Sequence, residues 1–220
     1  DDEEATTLFI DPHAQVDKQL YSRLSELGFR RSGRHIYKPH CQQCQACIPA
    51  RIATRQLQLN RAQRRIVKRN QDLQVRELDC IDQPEYYALY ERYINARHHD
   101  GDMHPPTHDQ YLSFLTREWD VTRYYALFDE ERPVAVSVLD VLDHGLSAVY
   151  TFFDPDLGQR SLGTYAILWQ ARQATAMGLD YLYLGYWIEG CRKMAYKGQF
   201  RPLEIFSNGS WQNLSDHENL

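Results

Sequence analysis

The span Gly145–Arg201 constrains the fold more than any other stretch of this chain. Leu146-Ser-Ala-Val-Tyr-Thr-Phe-Phe153 is β-branched and aromatic enough to form a strand, which runs into a turn at Asp154-Pro155. Arg160-Ser-Leu-Gly163-Thr-Tyr-Ala-Ile-Leu-Trp169 begins a helix over about 161–177 that Gly178 closes. Tyr181-Leu-Tyr-Leu-Gly-Tyr-Trp187 reads as the next strand. The first turn of such a helix leaves backbone N–H groups free to face anionic groups.

The remaining elements follow from periodicity and punctuation. Leu20, Leu24 and Leu27 give a helix over 17–28 with Gly28 at its C-terminal cap. Arg34–Lys38 and Ile48–Thr54 read as short strands, and Asn60 as the N-cap of a helix of about a dozen residues. A helix starting after Asp82 has Pro84 in its first turn and an apolar stripe of Tyr86, Leu89, Tyr90, Tyr93 and Ile94. His99–His108 is a loop, and a further helix covers 108–118. Tyr124–Phe128, Val134–Leu142 and Leu203–Trp211 are strands, with Asp143-His144-Gly145 as a hairpin connector. Strands interleaved with helices give an α+β class with the main sheet in the second half. Composition shifts near residue 80, so the expected division is 1–80, a basic subdomain with the cysteines, and 81–220.

Bulk properties exclude several classes. No apolar run approaches the roughly 18–20 residues of a membrane span. The opening Asp1-Asp2-Glu3-Glu4 has the wrong sign for a signal peptide. Five cysteines, three of them within seven residues, argue against a secreted disulfide framework and for a reducing, cytoplasmic setting. The net charge of −5 hides an asymmetry: residues 13–79 hold 14 Lys/Arg against 5 Asp/Glu, whereas 80–220 hold 11 against 20. A basic segment in an acidic protein is either a polyanion footprint or a face that pairs with acids inside the fold.

Each motif has a functional and a plain reading. Cys41-x-x-Cys44-x-x-Cys47 has the spacing of thiolates that converge on zinc or an iron–sulfur cluster, or else these are free thiols in a tight loop. Arg61, Arg64, Arg65, Lys68 and Arg69 share one helix face and suit RNA phosphates, or they are a solvated face. Arg30, Arg31 and Arg34, among glycines and aromatics, suit a carboxylate or phosphate, or are surface arginines of a turn. Arg160-Ser-Leu-Gly163-Thr-Tyr-Ala resembles the pyrophosphate loop of acetyl-CoA-dependent N-acetyltransferases, but Tyr165 replaces its final small residue. That mismatch suggests the same fold without coenzyme A.

Taken together, Gly28–Cys47, Asn60–Leu73, Tyr90–Met103, Ala135–Asp154, Ser161–Trp169 and Tyr183–Pro202 resemble the aminoacyl-tRNA–protein transferases. Lys193-Met-Ala-Tyr-Lys197-Gly-Gln199-Phe-Arg201-Pro is the most distinctive stretch, and Arg30-Arg31-Ser-Gly-Arg-His-Ile-Tyr-Lys-Pro-His-Cys41 is similar to the bacterial leucyl-transferring branch. The resemblance implies an N-acetyltransferase-like (GNAT-like) core with a mixed, mostly antiparallel sheet. It also implies transfer of leucine from leucyl-tRNA to proteins with N-terminal Asp or Glu, marking them for degradation. Members usually begin with a further cysteine in a Cys-x-Tyr segment; this sequence opens without it, which leaves Cys41, Cys44 and Cys47 as three ligands for a structural or regulatory metal or cluster, with Cys80 and Cys191 as distant candidates for a fourth.

Chemistry assigns provisional roles. An aminoacyl ester is activated, so transfer to an amine needs placement and proton management rather than a cofactor. Asp140 is the expected base, with Tyr150, Lys197 or Gln199 as donors to the oxyanion. Lys197 and Arg201 join the basic helix in holding tRNA, and Arg30, Arg31 and Arg34 form the cationic pocket for the acidic acceptor. Two other readings stand beside this one: an acetyl-CoA-dependent N-acetyltransferase, and a metal-containing RNA-binding module without catalysis.

Overall fold

The structure, a computed structural model, describes residues 5–116, 120–191 and 193–217. The acidic opening at 1–4 and the expected helix end at 117–118 lie outside the described residues. In chain order it runs β1 (Thr7–Phe9), α1 (Lys18–Glu26), β2 (Arg30–Ser32), β3 (His35–Pro39), β4 (Ile48–Ala53), α2 (Arg61–Arg69), β5 (Gln74–Leu78), α3 (Pro84–Arg97) and α4 (His108–Leu115). Then follow β6 (Thr122–Asp129), β7 (Arg132–Val141), β8 (Gly145–Phe153), α5 (Leu162–Ala176), β9 (Tyr181–Trp187), β10 (Leu203–Ser207), β11 (Ser210–Asn213) and α6 (Leu214–His217). The chain forms two compact units, one from residues 1–59, 142–147 and 171–220, the other from 60–141 and 148–170.

In the first unit the strand order is β11-β10-β4-β9 and then the start of β8, with β1-β3-β2 as a separate sheet. Pairing is antiparallel except between β8 and β9, which run parallel over Gly145–Ser147 and Tyr181–Tyr183. The mixed, mostly antiparallel α+β class is therefore as expected from the sequence. The expected strand Leu203–Trp211 is instead the hairpin β10–β11, because Asn208 and Gly209, both at positive φ, turn the chain. Gly28 does cap α1: at φ +86° it lets Phe29 N–H reach the Leu24 carbonyl, and a Cβ there would lie 2.6 Å from Pro49 Cγ.

In the second unit the order is β8-β7-β6-β5. Four of the five stripe residues of α3, Tyr86, Leu89, Tyr90 and Ile94, are buried with Tyr111 and Leu115 of α4 against Ala126, Phe128, Val136, Val138, Val149 and Phe152 of the sheet. Tyr93 packs at the edge of that cluster. Asn60 caps α2 through a full capping box, its side chain accepting from Gln63 N–H while Gln63 Oε1 accepts from Asn60 N–H. A second core joins Leu73, Leu127, Val134, Ala135, Leu162 and Tyr165. The Tyr165 ring is thus a core side chain, which accounts for a large residue where a coenzyme A loop keeps a small one.

Candidate functional site

Within the first unit, the densest convergence of predicted residues surrounds the end of β9. Ala50 faces Gly185 and Arg51 faces Tyr183, so Leu184 is an extra residue and the strand bulges there. Bulges re-aim backbone groups, often beside functional sites. Gly185 sits at φ +76°, and a Cβ on it would lie 1.5 Å from Arg30 Nη1, so the guanidinium of β2 rests directly on this glycine. Arg30 Nη1 donates to the Leu184 carbonyl at 3.4 Å. The Tyr186 hydroxyl donates to the Gly28 carbonyl at 3.0 Å, with the Tyr37 carbonyl 3.2 Å away, which fastens β9 to the end of α1 and to β3.

Lys197 lies in the short 3-10 turn Ala195–Gln199 and is only 7% exposed. Its Nζ donates to the Tyr186 carbonyl. Burial, then the Arg30 charge, push its pKa down to about 7, against a smaller upward pull from Cys191. This amine is therefore poised to hold or release a proton near neutral pH. Beside it, Trp187 Nε1 is buried with no hydrogen-bond partner among the described residues, and a Cβ on Gly198 would lie 3.6 Å from it. A buried donor left open in this way is available to a bound group.

The other predicted residues of this unit divide. Gln199, in the same 3-10 turn as Lys197, and Arg201 are both exposed. Of the three arginines, Arg34 is exposed in the β2–β3 turn, while Arg31 is 3% exposed and its Nη1 donates to the Gly33 carbonyl at 3.4 Å. Cys41, Cys44 and Cys47 are free thiols, and among the described residues no group of three or more His, Cys, Asp or Glu is arranged to hold a metal ion. Cys191 nevertheless approaches them: burial first, then Cys41, Cys44 and Cys191, raise the Cys47 pKa.

In the second unit, all five bases of α2 are exposed. The end of this helix is tied to the turn before α5. Arg69 Nη1 donates to the Gln159 carbonyl, Asn70 Nδ2 to the Arg160 carbonyl at 2.8 Å, and Arg160 Nη1 to the Arg69 carbonyl at 3.4 Å. Arg160 is committed to a bidentate pair with Asp72 at 2.9–3.0 Å, and Asp129 is 3.5 Å from its Nη2. That pairing removes Arg160 from any pyrophosphate role. Asp140 on β7 is fully buried, its Oδ1 accepting from Thr122 Oγ1 at 2.8 Å. The Tyr150 hydroxyl donates to the Met103 thioether at 3.6 Å, and burial raises its pKa.

Residues 1–65 match the N-terminal, and residues 85–207 the C-terminal, family model described as arginine-tRNA-protein transferase. This chain belongs to that family. Membership makes it a transferase enzyme and favours neither the acetyl-CoA-dependent reading nor the non-catalytic one. Among its relatives, the aspartate/glutamate leucyltransferase of Stutzerimonas stutzeri is 56% identical over 97% of this chain and 91% of its own length. That of Teredinibacter turnerae is 55% identical over 97% and 88%. The solved structure of L-PGS from Bacillus licheniformis shares 14% identity over 65% of this chain and 47% of that one, with a TM-score of 0.45. No described helix is long and apolar enough to cross a membrane.

For this family member, sequence reasoning missed Trp187 as an open donor and Gly185 as the seat of Arg30. Gly185, inside the otherwise bulky run Tyr181–Trp187, carried a signal for the second, since an isolated glycine in a strand marks a bulge or a close approach.

Proposed function

We propose that this protein transfers leucine from leucyl-tRNA to the α-amine of proteins beginning with Asp or Glu, marking them for degradation in the cytoplasm, where charged tRNA resides. The observation that carries this reading is the 56% identity to an aspartate/glutamate leucyltransferase along nearly the whole of both chains. In the reaction, the acceptor nitrogen attacks the ester carbonyl, a C–N bond forms, and the C–O bond to the terminal ribose breaks. The nitrogen loses a proton and the departing ribose oxygen gains one. The ester supplies the driving force, so the reading requires no cofactor.

The residues around β9 support a division of labour. The Arg30 guanidinium, fixed over Gly185, suits the acceptor's side-chain carboxylate. Lys197, with its pKa near 7, is suited to take the amine proton and return it to the ribose oxygen. The open Trp187 Nε1 suits the oxyanion of the tetrahedral intermediate. The exposed α2 bases, with Arg201, suit tRNA phosphates. Asp140 is a poorer base than Lys197, since it is fully buried in β7 and engaged by Thr122.

Incubation with radiolabelled leucyl-tRNA and peptides differing only in the first residue tests this. Label should pass to the Asp- and Glu-initiated peptides and not to a Lys-initiated one. Label from arginyl-tRNA passing in place of leucine, or indifference to the first residue, would overturn the substrate assignment.

A further inference from the structure

The three-stranded sheet β1-β3-β2 displays a row of aromatic and cationic side chains for which the reading above gives no use. The register pairs Phe9 with Tyr37 and Tyr37 with Arg30, so these three residues share one face, and His35 lies two residues along on the same face. The ring centroids of Phe9 lie 6.2 Å from Tyr37 and 6.1 Å from His35, and Tyr37 lies 6.1 Å from Tyr186. Exposure is graded along the row. Phe9 is 55% exposed and His35 is exposed, Tyr37 and Arg30 are half-buried, and Tyr186 is buried. The opposite face carries Ile36 and Arg31, both buried, so the core lies on that side.

The row therefore begins in solvent and ends at the backbone of β9, where Arg30 rests on Gly185 and Lys197 bonds to Tyr186. A contiguous aromatic row whose outer end is exposed leaves apolar area in water, and covering that area is favourable. What covers it must match the local charge, which the half-buried Arg30 in the row and the exposed Arg34 at the β2–β3 turn make positive. Flat rings on a strand face, with cations at the margin, are the pattern on which unpaired bases stack, because every base has a π-face and every linkage a phosphate. An acidic peptide would be drawn by the charge but makes no use of the rings.

We infer that the Phe9–His35–Tyr37 face stacks the unpaired 3′ nucleotides of the aminoacyl-tRNA and leads its terminal ribose toward Arg30 and Lys197. This rests on the transferase reading for the identity of the RNA, but not for the stacking itself, which is measurable without transfer.

The test uses two stem-loop RNAs, one blunt and one with an unpaired 3′ overhang carrying 2-aminopurine. The overhang RNA should bind more tightly than the blunt one, and its 2-aminopurine fluorescence should fall on binding. Phe9→Ala should weaken overhang binding roughly 5- to 100-fold, abolish the fluorescence change and leave blunt binding unchanged, while Phe9→Trp restores both. His35→Ala, at an exposed position, gives a second variant should Phe9→Ala fold poorly. Equal affinity for the two RNAs, or no effect of either alanine variant on overhang binding, overturns the inference. So does a loss of affinity confined to the Asp-initiated peptide, or a drop in sedimentation mass on Phe9→Ala showing that a second copy covers the face. If leucylation fails while overhang binding behaves as expected, the transferase reading falls and the stacking surface stands. If leucylation proceeds while the alanine variants bind the overhang like wild type, the stacking surface falls and the transferase reading stands.

Discussion

Two stretches of this chain look alike in composition: residues 28–53 and 61–69 each hold five Lys/Arg and no Asp/Glu. The protein uses them in opposite ways. On α2 all five bases are exposed, because i, i+3 and i+4 spacing gathers them on the solvent face while Gln63 turns inward. In 28–53 the strands alternate, and most of the cations are consumed by the fold. Arg51 is 7% exposed, bonded to Glu204 at 2.6 Å and stacked 3.5 Å over the Tyr181 ring and 4.2 Å over Trp211. Lys38 donates to the Leu27 carbonyl at 2.8 Å and lies over the Phe206 ring. Charge counted along a sequence therefore measures the supply of cations, and the periodicity of the element decides how many of them reach a ligand.

The largest expected effect comes from the consumed set. Arg51→Ala leaves Glu204 and the rings of Tyr181, Tyr183 and Trp211 without their cation and should destabilise the protein by about 3–5 kcal/mol in urea unfolding. The protein that remains folded should bind tRNA as before. Lys197→Met should change the pH profile of stability. Between about pH 7 and 10.5 the unfolded chain protonates this amine and the folded chain does not, so wild-type stability rises with pH across that window. The variant should lose that rise, and a profile parallel to wild type would mean that Lys197 is not neutral in the folded protein.

The exposed set should behave in the reverse manner. Arg61→Gln, Arg65→Gln and Lys68→Gln combined should shift stability by no more than about 0.5 kcal/mol. They should weaken tRNA binding and flatten its salt dependence by about one unit of slope per lost phosphate contact. An unchanged slope would make α2 a solvated face. An effect of about 1–2 kcal/mol in stability is expected from Gly185→Ala, which strains a left-handed residue and displaces Arg30. Its diagnostic feature is a KM for the Asp-initiated peptide raised more than kcat is lowered.

Much of the fold was legible because local signals were strong. The bounds of β9 are those read from Tyr181–Trp187, Asn60 caps its helix, and Gly28 ends α1 where expected. Strands β1 and β2, three residues each, were missed because so short a run has no period to detect. The hairpin at Asn208-Gly209 was missed although the dipeptide announces it. The site was legible as a set of residue types but not as an environment. Nothing in the sequence distinguishes buried Arg31 from exposed Arg34, or sets Lys197 beneath the Tyr186 carbonyl; both follow from a strand face and a bulge that exist only once the sheet has formed.

Fragment-ion mass spectrometry of an Asp-initiated peptide after incubation with leucyl-tRNA tests the central claim most directly. The predicted result is one leucyl residue on the α-nitrogen, and none when that nitrogen is acetylated beforehand. An unmodified peptide, or leucine found on a side chain, would contradict it.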